Sequence, residues 1–322
     1  MVKLGLIGYG HLGKIHAKCA SNIDQIDFVG IYDSDPDVLR SAHDQGFTVY
    51  EQIDDLLSDA EAIDIVTPTP SHFTIALKAI NQGKHVFLEK PITHTLEEAR
   101  KLREKVSEAG IKLQVGHVER FNPAYLSLQS LNLKPAFIEG HRLAKFNPRG
   151  TDVSVVLDLM IHDLDLILHL TGSKPIQVQS HGVSIVSKSH DICNARIKFE
   201  NGCVVNLTAS RISLKQMRKL RVFQSNAYIS MDFLERKSEI VRLLDTNEAE
   251  SRSNQTFELE TYNGTKHIEV ATPKIKAVNA IEKELSTFAE AIEEDKEPLV
   301  GVEAGLAALE LAYWIMEENV HQ

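Results

Sequence analysis

The chain has 322 residues, of which 43% are hydrophobic and 25% charged. That length calls for two domains, since one core rarely grows past roughly 250–300 residues. A formal net charge of -10 argues against general nucleic-acid binding, which needs a basic surface. Three cysteines, Cys19, Cys193 and Cys203, lack CxxC spacing, so neither a disulfide framework nor a zinc site is expected and a reducing, cytoplasmic setting fits. Glycines interrupt the apolar N-terminus, which therefore reads as a buried strand and not a signal peptide, and nothing is long and apolar enough to span a membrane.

Strand and helix alternate through the first part of the chain. Val2–Gly8 reads as an apolar strand, followed by a helix from about Leu12 to Ser21. A second strand, Asp27–Tyr32, ends at Asp33, and Asp35 caps a helix opening near Pro36. Ala62–Thr67 is a short buried strand, and Ser71–Gln82 a helix closed by Gly83. His85–Glu89, Leu96–Glu108 and Lys112–Gly116 continue as strand, helix and strand. This order predicts a Rossmann-type, doubly wound parallel sheet over 1–120.

After about residue 120 the period changes. Pro135–Lys145, Ile176–Val186, Asn194–Glu200 and Val204–Ala209 alternate apolar and polar side chains, and Asn201-Gly202 marks a hairpin. One helix, near Val155–Leu170, precedes most of them, and Asn247–Gln255 reads as an exposed loop. Val278–Ile292 and Val302–Glu318 are helical by period. The expectation for 121–322 is an α/β domain on an open, mainly antiparallel sheet, its C-terminal helices available to pack back on the first domain.

The sequence Gly8-Tyr9-Gly10-His11-Leu12-Gly13 is a GxGxxG that follows a strand and opens a helix, the context a dinucleotide site requires. Gly8 permits the turn, Gly10 lets backbone approach a pyrophosphate, and Gly13 lets helix and strand pack closely. Asp33, roughly 20 residues further on, would accept the ribose hydroxyls and repel a 2′-phosphate, which favours NAD. The bland alternative is a glycine turn and nothing more.

Four more motifs accompany it: Val66-Thr67-Pro68-Thr69-Pro70-Ser71-His72, Glu89-Lys90-Pro91, Gly116-His117-Val118-Glu119-Arg120-Phe121-Asn122-Pro123, and Asp158-Leu159-Met160-Ile161-His162-Asp163-Leu164-Asp165. The set resembles the Gfo/Idh/MocA family of NAD(P)-dependent sugar and polyol dehydrogenases over nearly the whole chain. The resemblance implies that Lys90 touches the nicotinamide ribose and the reacting hydroxyl, that His162 is the acid/base, that Asp158 is its companion, and that the bond before Pro91 is often cis. It also implies a homodimer or homotetramer built on the open face of the second sheet. GHVERFNPA and DLMIHD are similar to the members that oxidise the 3-hydroxyl of UDP-N-acetylglucosamine, whose keto product goes to a partner aminotransferase. Met160 stands where most members carry glycine.

The residues themselves permit that chemistry. On a regular helix Asp158, His162 and Asp165 share a face, and a carboxylate beside an imidazole raises its basicity. The same pattern also suits a solvated polar face. A metal at His162, Asp163 and Asp165 lacks a third ligand group of convincing spacing. Arg120 and Asn122 are candidates for a diphosphate or sugar, with a structural ion pair as the alternative for Arg120. Thr67, Pro68 and Glu89 would bring backbone or side chain to the cofactor; His72 would line its nicotinamide end or merely start a helix. The basic run Lys215–Arg221, with Arg211 nearby, reads as a solvated edge or interface strand before a nucleotide contact. Two alternatives stand beside the sugar-nucleotide dehydrogenase: a dehydrogenase of a free, inositol-like polyol, and a non-catalytic NAD-binding regulator.

Overall fold

The carboxyl ends of five parallel strands gather every N-terminal motif. The computed structural model describes all residues except 148–152, 246–255, 263 and 319–322, so the predicted loop Asn247–Gln255 lies outside the described residues. It divides into two compact units, Met1–Phe121 with Val278–Glu310, and Asn122–Ala277 with the chain from Leu311 on.

In the first unit β1 (Val2–Ile7), β2 (Ile26–Tyr32), β3 (Ala62–Ile65), β4 (His85–Glu89) and β5 (Leu113–Gly116) form one sheet in the order β2-β1-β3-β4-β5, with every pairing parallel. β3 and β5 are buried at every position, the pattern of strands covered on both faces. The covering helices are α1 (His11–Ala20), α2 (Pro36–Asp44), α3 (Ile53–Asp59), α4 (Thr69–Asn81) and α5 (Leu96–Ala109). Asp35 caps α2 by accepting the Asp37 N–H. Thr95 and Glu98 form a reciprocal capping box on α5, and Gly110 closes it in the left-handed region. One cluster packs Leu4 and Phe87 against Leu285 and Phe288, another Leu6 and Tyr9 against Ala17 and Ile31. The short helix α3 has no counterpart in the periodicity reading.

The second unit opens with α6 (Pro123–Leu126) and carries a nine-stranded sheet. Its strands are β6 (Phe137–Leu143), β7 (Pro175–Val183), β8 (Ile192–Phe199), β9 (Val204–Ser210), β10 (Met217–Gln224), β11 (Ala227–Asp232), β12 (Lys237–Leu244), β13 (Thr256–Thr261) and β14 (Gly264–Ala271). They lie in the order β13-β14-β12-β11-β10-β6-β9-β8-β7, and only the β6–β9 pairing is parallel. Burial alternates along β6 and β8, as in a sheet with one face covered. Ile138, Ile197, Val205, Leu207, Leu220 and Val222 form that covered face with Leu164 and Ile167. Asn201 and Gly202 turn the β8–β9 hairpin, with Gly202 at φ 87°.

Two expectations need correction here. The helix predicted near Val155–Leu170 is a π turn over Val156–Met160 followed by α7 (Ile161–Thr171), closed by Gly172 at φ 54°. The basic run does not form an edge: β10 lies between β6 and β11, because Leu220 and Val222 belong to the covered face while Lys219 and Arg221 pair with Asp232 and Glu139 on neighbouring strands. The final helices are α8 (Ala280–Glu293) and α9 (Val302–Glu318). Among the described residues no helix is long and apolar enough to cross a membrane.

Candidate active site

The glycine turn follows β1 and opens α1. Gly8 sits at φ 98°, and a Cβ there would stand 2.6 Å from the Val66 carbonyl oxygen, so the turn lies hard against the end of β3. A Cβ at Gly13 would stand 2.0 Å from the Gly8 carbonyl oxygen, whereas one at Gly10 would meet nothing within 4 Å. Packing thus requires glycine at positions 8 and 13 but not at 10, where bare backbone leaves room for a ligand. No side chain caps α1 and no acidic residue occupies its first turn, which leaves N–H groups and partial positive charge open to an anion. Gly10, His11 and Leu12 are exposed, while Tyr9 is buried and contributes backbone, its hydroxyl donating to Gln45 Oε1 at 3.1 Å. Asp33, at the end of β2, accepts the Tyr9 N–H on one oxygen and the Asp35 N–H on the other. These residues fit NAD: a bare turn for the pyrophosphate and a carboxylate for the ribose.

Lys90 follows β4, half-buried, and its bond to Pro91 is cis. Glu89 turns inward instead of toward solvent. Its Oε2 accepts the Lys90 N–H at 3.1 Å and its Oε1 lies 3.3 Å from His16 Nε2. Gly116 at the end of β5 makes room for it, since a Cβ there would stand 2.7 Å from Glu89 Oε1. Burial alone would raise the Glu89 carboxyl, but the His16 hydrogen bond and charge, with Lys90, hold it below its ordinary range. His16 Nδ1 lies 2.9 Å from Asp64 Oδ2. Burial disfavours the imidazolium, yet Asp64 and Glu89 outweigh that and keep His16 well above its ordinary value.

His72 is a strut between two loops. Its ring is 1% exposed, with Nδ1 2.9 Å from the Pro91 carbonyl oxygen and Nε2 2.8 Å from that of Thr67. It thereby ties the E-K-P turn to the Thr67-Pro68 loop. Full burial draws its pKa down against the pull of both carbonyls. Ser71 Oγ stiffens the same loop by donating toward Thr67 Oγ1 and the Pro68 carbonyl.

In the second unit the candidate acid/base helix is built unevenly. Asp158 lies in the π turn and His162 in α7, so regular α-helical spacing does not relate them; a π turn adds a residue and re-aims the side chains around it. Asp158 is partly exposed and lies 4.0 Å from Nη2 of Arg211, a buried residue that also donates to the Val153 carbonyl at 2.6 Å. Asp163 is locked by Arg142 through two bonds, Nε to Oδ2 at 2.9 Å and Nη2 to Oδ1 at 2.7 Å. His162 is half-buried and Asp165 is 1% exposed. Met160 points into the hydrophobic core. Asn122 caps α6, accepting the Ala124 N–H and donating to the Phe233 carbonyl at 3.1 Å, which gives it a structural occupation. Arg120 is half-buried in the helical turn Val118–Phe121 of the first unit.

Arg142, His16, Asp64 and Glu284 support the site without belonging to any of its sequence motifs. Glu284 left a signal: it occupies the apolar stripe Ile281, Leu285, Phe288 of α8, where a carboxylate needs a reason.

The comparisons match this architecture piece by piece. A model described as "Oxidoreductase family, NAD-binding Rossmann fold" covers residues 2–117, and one described as "GFO/IDH/MocA C-terminal domain" covers residues 134–230. UDP-N-acetylglucosamine 3-dehydrogenase from Acidithiobacillus ferrooxidans is 39% identical over 235 residues, 72% of this chain and 74% of that protein. A solved structure of that enzyme superposes at a TM-score of 0.88 with 32% identity, covering 99% of this chain and 97% of the other. The scyllo-inositol 2-dehydrogenase (NAD(+)) of Bacillus subtilis is 31% identical over 234 residues, 66% of this chain and 68% of that one. Apo scyllo-inositol dehydrogenase from Lactobacillus casei, at 22% identity and a TM-score of 0.78, shares the fold. Matched in both of its parts by the family's models, the chain is an NAD-binding dehydrogenase of the GFO/IDH/MocA oxidoreductase family.

Proposed function

We propose that the enzyme oxidises the 3-hydroxyl of UDP-N-acetylglucosamine. The observation that carries this reading is the 39% identity to a UDP-N-acetylglucosamine 3-dehydrogenase, against 31% to the inositol enzyme, together with the 0.88 superposition along nearly the full length. NAD, when bound at the glycine turn, supplies the hydride acceptor. Lys90 holds the substrate oxygen with its ammonium and stabilises the charge that develops there. His162 takes the hydroxyl proton as the carbon gives up its hydride, leaving a ketone. Asp158 supports the imidazole; Arg120 and Asp165 contact the substrate. Thr67 and Pro68 approach the cofactor through their backbone, and His72 and Glu89 shape its floor. The enzyme works as a homodimer or homotetramer, and an aminotransferase consumes the keto sugar.

A second reading, oxidation of a free inositol-like polyol, is favoured by the 31% identical inositol dehydrogenase. The non-catalytic regulator is disfavoured by the presence of both Lys90 and His162.

The test follows NADH absorbance at about 340 nm with NAD and a panel of sugar nucleotides and free polyols, an amine donor and aminotransferase drawing off the ketone. Reduction specific to UDP-N-acetylglucosamine, lost in Lys90→Ala and His162→Ala, is the expected result. Reduction by a free polyol alone would overturn the substrate, and full turnover by either variant would overturn the mechanism.

A further inference from the structure

Behind the turn that carries Lys90 lies a sealed cluster of ionisable side chains. His16 of α1, Asp64 of β3, Glu89 of β4 and Glu284 of α8 are 0%, 1%, 8% and 0% exposed. The His16 imidazole hydrogen-bonds Asp64 through Nδ1 and sets Nε2 3.3 Å from Glu89, and Glu89 accepts the main-chain N–H of Lys90. One ring nitrogen of His16 and one carboxyl oxygen each of Glu89 and Glu284 fall within 4.8 Å of one another. Neither oxygen of Glu284 has a hydrogen-bond partner, nor does Gln114 Oε1, although Gln114 Nε2 donates to the Glu284 main-chain carbonyl at 2.8 Å. Three buried carboxyls thus face a single imidazole. Two carboxyls this close do not both ionise when sealed from water, and the usual resolution is one shared proton.

We infer that Glu284 is a positioning residue for Lys90: its buried carboxyl holds a proton, which leaves Glu89 as the ionised and fixed acceptor of the Lys90 main chain. The consequence for turnover rests on the proposed role of Lys90 as holder of the reacting oxygen. Burial first, and then the negative charge of Glu89, push Glu284 well above the usual carboxylate range. The elements packed on α8 are α1, β1, β4 and the turn Val118–Phe121. They bring His16, Glu89, and from the turn Glu119 and Arg120; the Lys3 side chain of β1 is exposed, and Asp64 acts from β3 behind His16.

Infrared difference spectra of wild type and Glu284→Gln at neutral pH, in H2O and D2O, read the proton directly. A protonated-carboxyl C=O band present in wild type and absent from Glu284→Gln is the expected result; no such band would overturn the inference. In turnover, Glu284→Leu lowers kcat about tenfold with KM held within about twofold, as misplacement of a positioned group does. Glu284→Gln, neutral and polar as the protonated carboxyl is, recovers most of that loss. Equal kcat in two folded variants would overturn the positioning role, and a stoichiometric divalent metal in the purified protein would replace the proton with a cation. Should Glu284→Leu fail to fold, the infrared arm decides alone. If no sugar is oxidised, or Lys90→Ala turns over like wild type, the reading of Lys90 fails while the band still stands or falls by itself.

Discussion

The Asp33 carboxylate accepts the Tyr9 N–H at 2.7 Å and thereby ties the end of β2 to the glycine turn after β1. Its two oxygens each accept one backbone N–H, which leaves lone pairs for a ribose diol. Asp33→Ala removes an acceptor and a negative charge together. NAD affinity falls about tenfold, and the preference over NADP narrows because nothing then repels a 2′-phosphate. Calorimetric titration with each cofactor checks this; an unchanged ratio of the two affinities would assign Asp33 to loop structure alone.

The glycines separate binding from folding. Gly10 has φ -70° and open space around its missing Cβ, so Gly10→Ala leaves the melting temperature within a few degrees and weakens NAD by obstructing the pyrophosphate. Gly13→Ala drives a methyl to 2.0 Å from the Gly8 carbonyl oxygen and forces α1 off β1, so stability and NAD binding fall together. Thermal melts with and without NAD distinguish the two. Loss of fold in Gly10→Ala would refute the assignment of that glycine to the ligand side.

The periodicity of this chain reports faces, and so it revealed the parallel sheet, the hairpin at Asn201-Gly202 and the amphipathic α8. It is silent where a side chain breaks its face. His16 lies on the inner side of α1 beside Ala17 and Ala20, and its partners Asp64 and Glu89 are distant in sequence, so only the folded chain assembles them. The π turn was equally hidden, because Asp158-Leu159-Met160-Ile161-His162 has the same residue pattern whether four or five residues close each hydrogen-bonded ring. Glu89 shows a third limit: the E-K-P motif marked the position, while the direction of its carboxylate, inward to His16, depends on Gly116 making space.

Arg142 of β6 and Asp163, the residue after His162, form a two-bond ion pair at 2% and 4% exposure. Removing one partner leaves a buried charge uncompensated, so Asp163→Ala costs about 3–5 kcal/mol of stability. The double variant Arg142→Met with Asp163→Leu costs less than Asp163→Ala alone, since neither charge is then stranded. Urea unfolding of the single and double variants gives the comparison. A double variant weaker than both singles would mean that the pair contributes net stability of its own.

The buried cluster gives stability a pH dependence whose sign follows from its members. His16 has a folded pKa well above 6.5, so its contribution is complete below 6.5 and is lost as pH rises through the folded value. Glu284 is raised well above 4.5, and burial raises Asp64 above 3.8: from there upward the unfolded chain releases protons that the folded chain keeps, which again erodes stability with rising pH. Glu89 is lowered, so its contribution is present above 4.5 and lost in acid. Stability therefore peaks in mildly acidic solution and declines through the neutral and alkaline range. Each group that stays protonated only in the folded chain adds a slope of about 1.4 kcal/mol per pH unit. Glu284→Gln removes one such group and flattens the alkaline limb by up to that amount, whereas a surface change such as Glu104→Gln leaves it as steep. Urea unfolding at stepped pH measures both limbs, and an alkaline slope equal in wild type and Glu284→Gln would mean that Glu284 is ionised in the folded protein.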